Sequence, residues 1–165
     1  MENFKLKFNL IPSGAFNNNL RALFSRAAWD YIRKDAYERA NHRCSICGAP
    51  SKRLEAHEVW EFDEKNMVQR LKDVIAVCPA CHGVIHINRT QAVGREDGAI
   101  KHFMKVNGAT FGEYIKELDK ANLENKRLSR LGDEWSLDLT WLKRFLPDDN
   151  VGNNVGGKNG IEPQA

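Results

Sequence analysis

Cysteine is scarce in this 165-residue chain, and its four copies leave none over once sorted into the pairs Cys44/Cys47 and Cys78/Cys81. No apolar stretch approaches the ~20 residues that a membrane-spanning helix requires. The first forty residues also lack the charged start, apolar middle and small-residue cleavage site of a secretory leader. A soluble, cytoplasmic protein is therefore expected, with no membrane partner, and such a compartment disfavours disulfides. Internal repeats are absent, as is a strong excess of either charge. The formal net charge is +3, and because residues 147–165 hold one lysine against three carboxylates, residues 1–146 carry +5. That balance permits a nucleic-acid partner without requiring one. Length and a 42% hydrophobic content suit one globular domain over residues 1–146, followed by a Gly/Asn-rich tail, 147–165, read as disordered.

What is present is concentrated between residues 41 and 90. Two C-x2-C pairs frame His57-Glu58, and the second pair runs into Cys81-His82-x3-His86. Two short loops carrying two thiolates each match the four soft ligands of a tetrahedral zinc ion at little closure cost. Cys44, Cys47, Cys78 and Cys81 are therefore assigned to structural zinc. A redox C-x-x-C is the competing reading, and neither pair opens the strand–helix unit that such a motif needs.

Periodicity places these motifs in an α+β fold. Alternation of Phe4, Leu6, Phe8 and Leu10 predicts a strand ending before Pro12, and residues 13–19 read as a loop. Apolar steps of three and four predict one amphipathic helix over 20–40. Residues 53–60 and 68–77 read as a strand pair joined by a polar stretch, 61–66, and a helix is expected from Cys78 onward. Its spacing would put His82 and His86 on one face. Helices follow over 97–106 and 110–131, the latter opened by the capping-box pattern Thr110-x-x-Glu113. Alternation of Trp135, Leu137, Leu139 and Trp141 predicts an outer strand pairing with the N-terminal one.

The segment from Cys44 to His86, roughly a quarter of the chain, resembles the HNH branch of the ββα-metal nucleases through Cys44, Cys47, His57, Cys78, Cys81, His82 and His86. The resemblance implies two strands and a helix around one catalytic divalent ion (Mg²⁺, Mn²⁺ or another), braced by a Zn²⁺ knuckle over residues 41–90. Helices and strands of 1–40 and 97–146 would flank this core. It implies hydrolysis of DNA phosphodiester bonds to 5′-phosphate and 3′-hydroxyl ends, with RNA left open as substrate. A phosphodiester needs an in-line water, a base and charge neutralisation, which one divalent ion and one side chain can supply.

Carried over by residue, the family's terminal ligands fall on His82 and His86, with His82 in the catalytic set. Family members often show two adjacent residues where this chain offers either Ala56-His57 or His57-Glu58. In one register His57 is a ligand and Glu58 stands at the base position. In the other His57 is the base and the ligand position is an alanine. Glutamate, with an ordinary pKa of ~4.3 against ~6.5 for histidine, needs help to act as a base at neutral pH. Strand alternation also turns His57 and Glu58 to opposite faces unless a bulge intervenes. The family's middle asparagine falls on Asp73, read either as a ligand or orienting group or as a turn residue. Lys52, Arg53, Arg89 and Arg95 are candidate phosphate contacts. His42 is read as a surface or capping residue, His102 as packing, and the four tryptophans as core or strand-face residues. No base-reading helix is visible, so sequence-specific cleavage would call for a homodimer, a larger protein complex or loop contacts. The rival reading is a non-catalytic zinc module that binds nucleic acid or protein.

Overall fold

The computed structural model describes residues 3–146; the tail expected from residue 147 lies outside them. Its centre is an antiparallel hairpin of β1 (Glu55–Asp63) and β2 (Val68–Val77), in which His57 faces Ile75, Glu58 faces Val74 and Val59 faces Asp73. The second strand has the expected bounds, and the first runs on to Asp63, three residues further than the sequence suggests, because Asp63 closes a tight turn by accepting the Asn66 N–H while Met67 takes a positive φ of 51°. A register shift between Val59 and Trp60 breaks the ladder just beyond the histidine. A short strand, β3 (Ser136–Asp138), runs parallel to β2 and completes a mixed three-stranded sheet.

Alternation divides the hairpin between two apolar clusters. Ala56, Trp60, Leu71 and Val74 pack with Ile32 and Ala36 of α2 (Arg26–Arg39), while Ile75 and Val77 join the larger cluster around Phe103 and Tyr114. That larger cluster is roofed by α3 (Pro79–Ile85), α5 (Glu96–Asn107) and α6 (Phe111–Ser129). The expected capping box is formed: Thr110 accepts from the Glu113 N–H, and Glu113 accepts in return from the Thr110 N–H. Among the described residues no helix is long and apolar enough to cross a membrane.

Three sequence expectations are corrected. The helix over 20–40 is two helices, α1 (Leu20–Leu23) and α2. Phe24 is extended, and Ser25 starts a new helix by accepting the Ala28 N–H, a capping signal that outweighs the continuous apolar spacing. The helix expected from Cys78 onward does form, as α3; it ends at Ile85, and a further helix, α4 (Ile87–Ala92), follows His86.

The N-terminal segment is no strand either. Phe4, Leu6, Phe8 and Leu10 do all turn into the main cluster, but the segment lies over helices, whose backbone groups are already paired. Its polar groups are met singly instead: the Asn107 side chain accepts from the Leu6 N–H (3.0 Å) and donates to the Leu6 carbonyl (2.8 Å), and the Asn9 N–H donates to the Ile85 carbonyl (2.9 Å). Consequently the C-terminal alternation does not pair with it. Only Ser136–Asp138 is strand, beside β2, and Trp141 falls in a 3₁₀ helix, Thr140–Phe145, begun where Asp138 accepts the Thr140 N–H.

Asn107→Ala should cost about 1–3 kcal/mol, because both backbone groups of fully buried Leu6 lose their partner. Urea titration of wild type and variant measures it.

Candidate metal centre

The first cysteine pair sits on a turn shaped by left-handed residues at Asn41, His42 and Gly48 and closed by the Gly48 N–H on the Cys44 carbonyl. The Ser45 N–H donates to the Ala76 carbonyl, fastening this turn to β2. The second pair, against the expectation that neither pair opens a strand–helix unit, stands between β2 and α3: Cys78 is the N-cap of α3, its Sγ accepting the Cys81 N–H. The four sulfur atoms lie within 4.8 Å of one another, three of the residues are buried, and none is in a disulfide. In a tetrahedron with Zn–S near 2.3 Å, neighbouring sulfurs are about 3.8 Å apart; Cys47 and Cys78 Sγ stand at 3.9 Å. The donor set and spacing fit zinc.

The thiols already perturb one another through hydrogen bonds. Cys44 is held down at about 4, chiefly by the hydrogen bond from Cys81 and against the effect of burial, while the same bond pushes Cys81 upward. His102, expected to be packing, places Nε2 3.2 Å from Cys81 Sγ, where a thiolate would accept its N–H.

Cys81 and His82 are adjacent on α3, and their side chains serve different clusters. His82, His86 and strand-borne His57 converge, their ring centroids 4.8–5.6 Å apart and one nitrogen of each within 4.8 Å of the others. Although the helix stops before His86, the His86 N–H still donates to the His82 carbonyl, so the one-turn spacing survives. Three imidazoles could hold a metal ion and would leave a coordination position open.

Their protonation suits that role. Burial first, and then the neighbouring histidines, depress His57 to about 3; burial and His82 depress His86 to about 4. Both are neutral at pH 7. Glu55 Oε2 accepts from His82 Nδ1, leaving Nε2 of that ring free as a donor atom, whereas Asn9 Nδ2 donates to His57 Nε2 at 3.3 Å, which places the proton of neutral His57 on Nδ1, so that an ion ligated by Nε2 would take the place of this contact. Period-two alternation from His57 could have flagged Glu55. Asn9 carries no such signal, since it arrives from 48 residues away.

The remaining site residues separate. Glu58 accepts from the Leu20 N–H (2.9 Å) and the Trp60 Nε1–H (3.0 Å), so both its oxygens are engaged at the α1 end, and burial raises its pKa. Asp73 accepts from Arg39 and from the Val74 N–H. Neither carboxylate belongs to the histidine group. His42 is exposed and apart from both clusters.

Two clefts meet at the histidines: one of about 540 Å³, lined by His82, His86, Arg89 and Arg95, and one of about 330 Å³, lined by all three histidines, Arg21 and Arg89. Arg21, Arg89 and Arg95 have no ion-pair partner among the described residues, whereas Arg33, Arg39, Arg70 and Arg127 are paired. Lys52 and Arg53 are exposed and line neither cleft.

Cys81→Ser should remove one equivalent of tightly held zinc by elemental analysis, and His86→Ala should leave that equivalent in place. Stability should also depend on acid. With His57 depressed from 6.5 to about 3, the unfolded chain binds the extra proton first, so stability is full above pH 6.5 and falls as pH drops toward 3. The loss is on the order of a few kcal/mol, and urea titrations at fixed zinc should show a smaller loss in His57→Gln. No protein-family model, curated protein or solved structure matches this chain, so its functional reading rests on the geometry of these two clusters.

Proposed function

We propose that this chain is a metal-dependent, HNH-type endonuclease that hydrolyses phosphodiester bonds in DNA. The observation that carries the reading is the convergence of His57 from a hairpin with His82 on the following helix and His86 at its C-cap, at the junction of two clefts lined by Arg21, Arg89 and Arg95. The four cysteines would hold structural zinc and brace the start of α3. His57, His82 and His86 would hold the catalytic divalent ion, which supplies charge neutralisation at a phosphoryl oxygen and acidifies a coordinated water.

The chain's own groups do the positioning. Glu55 fixes the tautomer of His82, Asn9 holds the His57 ring until the ion takes its place at Nε2, and Arg89 and Arg95 stand where a phosphate backbone would enter. Of the two registers, the ligand role for His57 is the better supported. Its ring faces the other two histidines, and Glu58 serves as an acceptor for α1 and Trp60.

A non-catalytic zinc module is the second reading, favoured by the engagement of Glu58 and Asp73, which leaves no unbound carboxylate at either family position. It predicts two tightly held zinc ions and no cleavage.

Plasmid nicking with Mg²⁺ or Mn²⁺ separates the two. His57→Ala and His82→Ala should lower the rate at least about 100-fold, and Glu55→Gln should weaken activation by metal about 10- to 100-fold. Glu58→Ala should stay within a few-fold in rate while losing about 1–3 kcal/mol of stability, since the Leu20 N–H and the Trp60 indole lose their acceptor. Absence of nicking by zinc-replete, folded wild type under every metal would favour the binding module.

A further inference from the structure

The smaller cleft has a composition that phosphate binding does not explain. Phosphate contacts need cations and N–H donors, and the larger cleft supplies Arg89 and Arg95. The smaller one is walled by the half-buried indoles of Trp29 and Trp60, with Phe16 at its edge. Phe16 is 64% exposed, on the turn after the 3₁₀ helix Ser13–Ala15, and belongs to none of the three apolar clusters. The Trp60 indole is held in one orientation by its N–H bond to Glu58.

Amide groups complete the lining. Asn18 has no side-chain hydrogen bond among the described residues, and Gln69, fully buried, donates Nε2 to the Asn18 carbonyl while its Oε1 has no donor. Flat aromatic faces, the Asn18 amide, the Gln69 Oε1 acceptor and a flanking cation, Arg21, together match a heterocyclic base joined to a phosphate. A volume of about 330 Å³ lies at the lower end of the ~300–1,000 Å³ typical of small-ligand sites.

We propose that the cleft bounded by Phe16, Trp29, Trp60 and Gln69 is a nucleobase subsite, which takes the unstacked base next to the phosphate held at the histidines. A base paired within a continuous duplex cannot enter such a cleft without leaving its stack. The substrate class is therefore single-stranded or locally unpaired nucleic acid, its backbone running from Arg21 past the histidines to Arg89 and Arg95. This assignment rests on the nuclease reading for the position of the phosphate, and its test uses binding rather than cleavage.

The test is fluorescence anisotropy of zinc-replete, full-length protein without added Mg²⁺ or Mn²⁺. A labelled oligothymidylate is compared with a blunt duplex of equal length at fixed salt, for wild type, Phe16→Ala and Phe16→Tyr. Phe16 is exposed, so its replacement leaves the fold intact. The expected result is tighter binding of the single strand by wild type, a loss of about 5- to 100-fold in Phe16→Ala for the single strand only, and recovery in Phe16→Tyr. Equal single-strand affinity in wild type and Phe16→Ala, or no preference over duplex, overturns the proposal. Failure of the nuclease reading shows itself separately, as retained Phe16-dependent binding with no nicking under any metal.

Discussion

A helix turns by about 100° per residue, so neighbours on α3 can face different surroundings, and the architecture of the site depends on that one fact. Cys81 is fully buried among the thiols, while His82, the next residue, turns toward His57 and His86. Whatever fixes the four sulfurs therefore fixes the start of the helix that carries His82. On the other side of the thiol cluster, the Ser45 bond to Ala76 ties the first knuckle to β2, whose partner strand carries His57. Strand and helix are thus referred to a common anchor, and the histidines need no long polar network to meet.

The polar groups around that anchor divide into those that aim the histidines and those that hold the fold. Glu55 and Asn9 touch imidazole nitrogens directly. Glu58 and Asp73 stand where the resemblance to HNH nucleases would lead one to expect chemistry, yet they serve as acceptors for Leu20, Trp60, Arg39 and Val74. On β1 this division follows from pleating: Glu55 and His57 share a face, and Glu58 points to the other, toward the apolar cluster of α2. Depressed imidazole pKa values belong to the same design, because burying neutral rings keeps donor nitrogens available at pH 7.

Local chemistry was the legible part of the sequence. Each C-x2-C pair, the one-turn step from His82 to His86, the hairpin and the Thr110 capping box are set by spacing within a few residues, and the structure forms each of them; that His57 joins the two later histidines, and one cysteine pair the other, came from the resemblance of the whole Cys44–His86 segment. Long-range partnership was not legible. The alternation of Phe4 to Leu10 is true to burial but says nothing of whether a strand or a helix lies alongside, and Asn107 decides the matter from 101 residues away. Ser25 broke a helix that apolar spacing would continue, since a cap acts through one hydrogen bond and leaves no periodic trace. His102 looked like packing for the same reason: its partner, Cys81, is reached only through the docking of α5 on α3.

On the proposed function, one cluster braces while the other binds an exchangeable ion for phosphodiester hydrolysis. The most direct test is to add Mn²⁺ stepwise to zinc-replete protein, following bound Mn²⁺ by electron paramagnetic resonance and nicking on the same sample. Nicking should rise with a single Mn²⁺ equivalent, zinc at the cysteines should stay constant, and His86→Ala should lose both signals together. Mn²⁺ bound at the histidines without cleavage of plasmid or single-stranded DNA, or cleavage unchanged in His86→Ala, would contradict the proposed function.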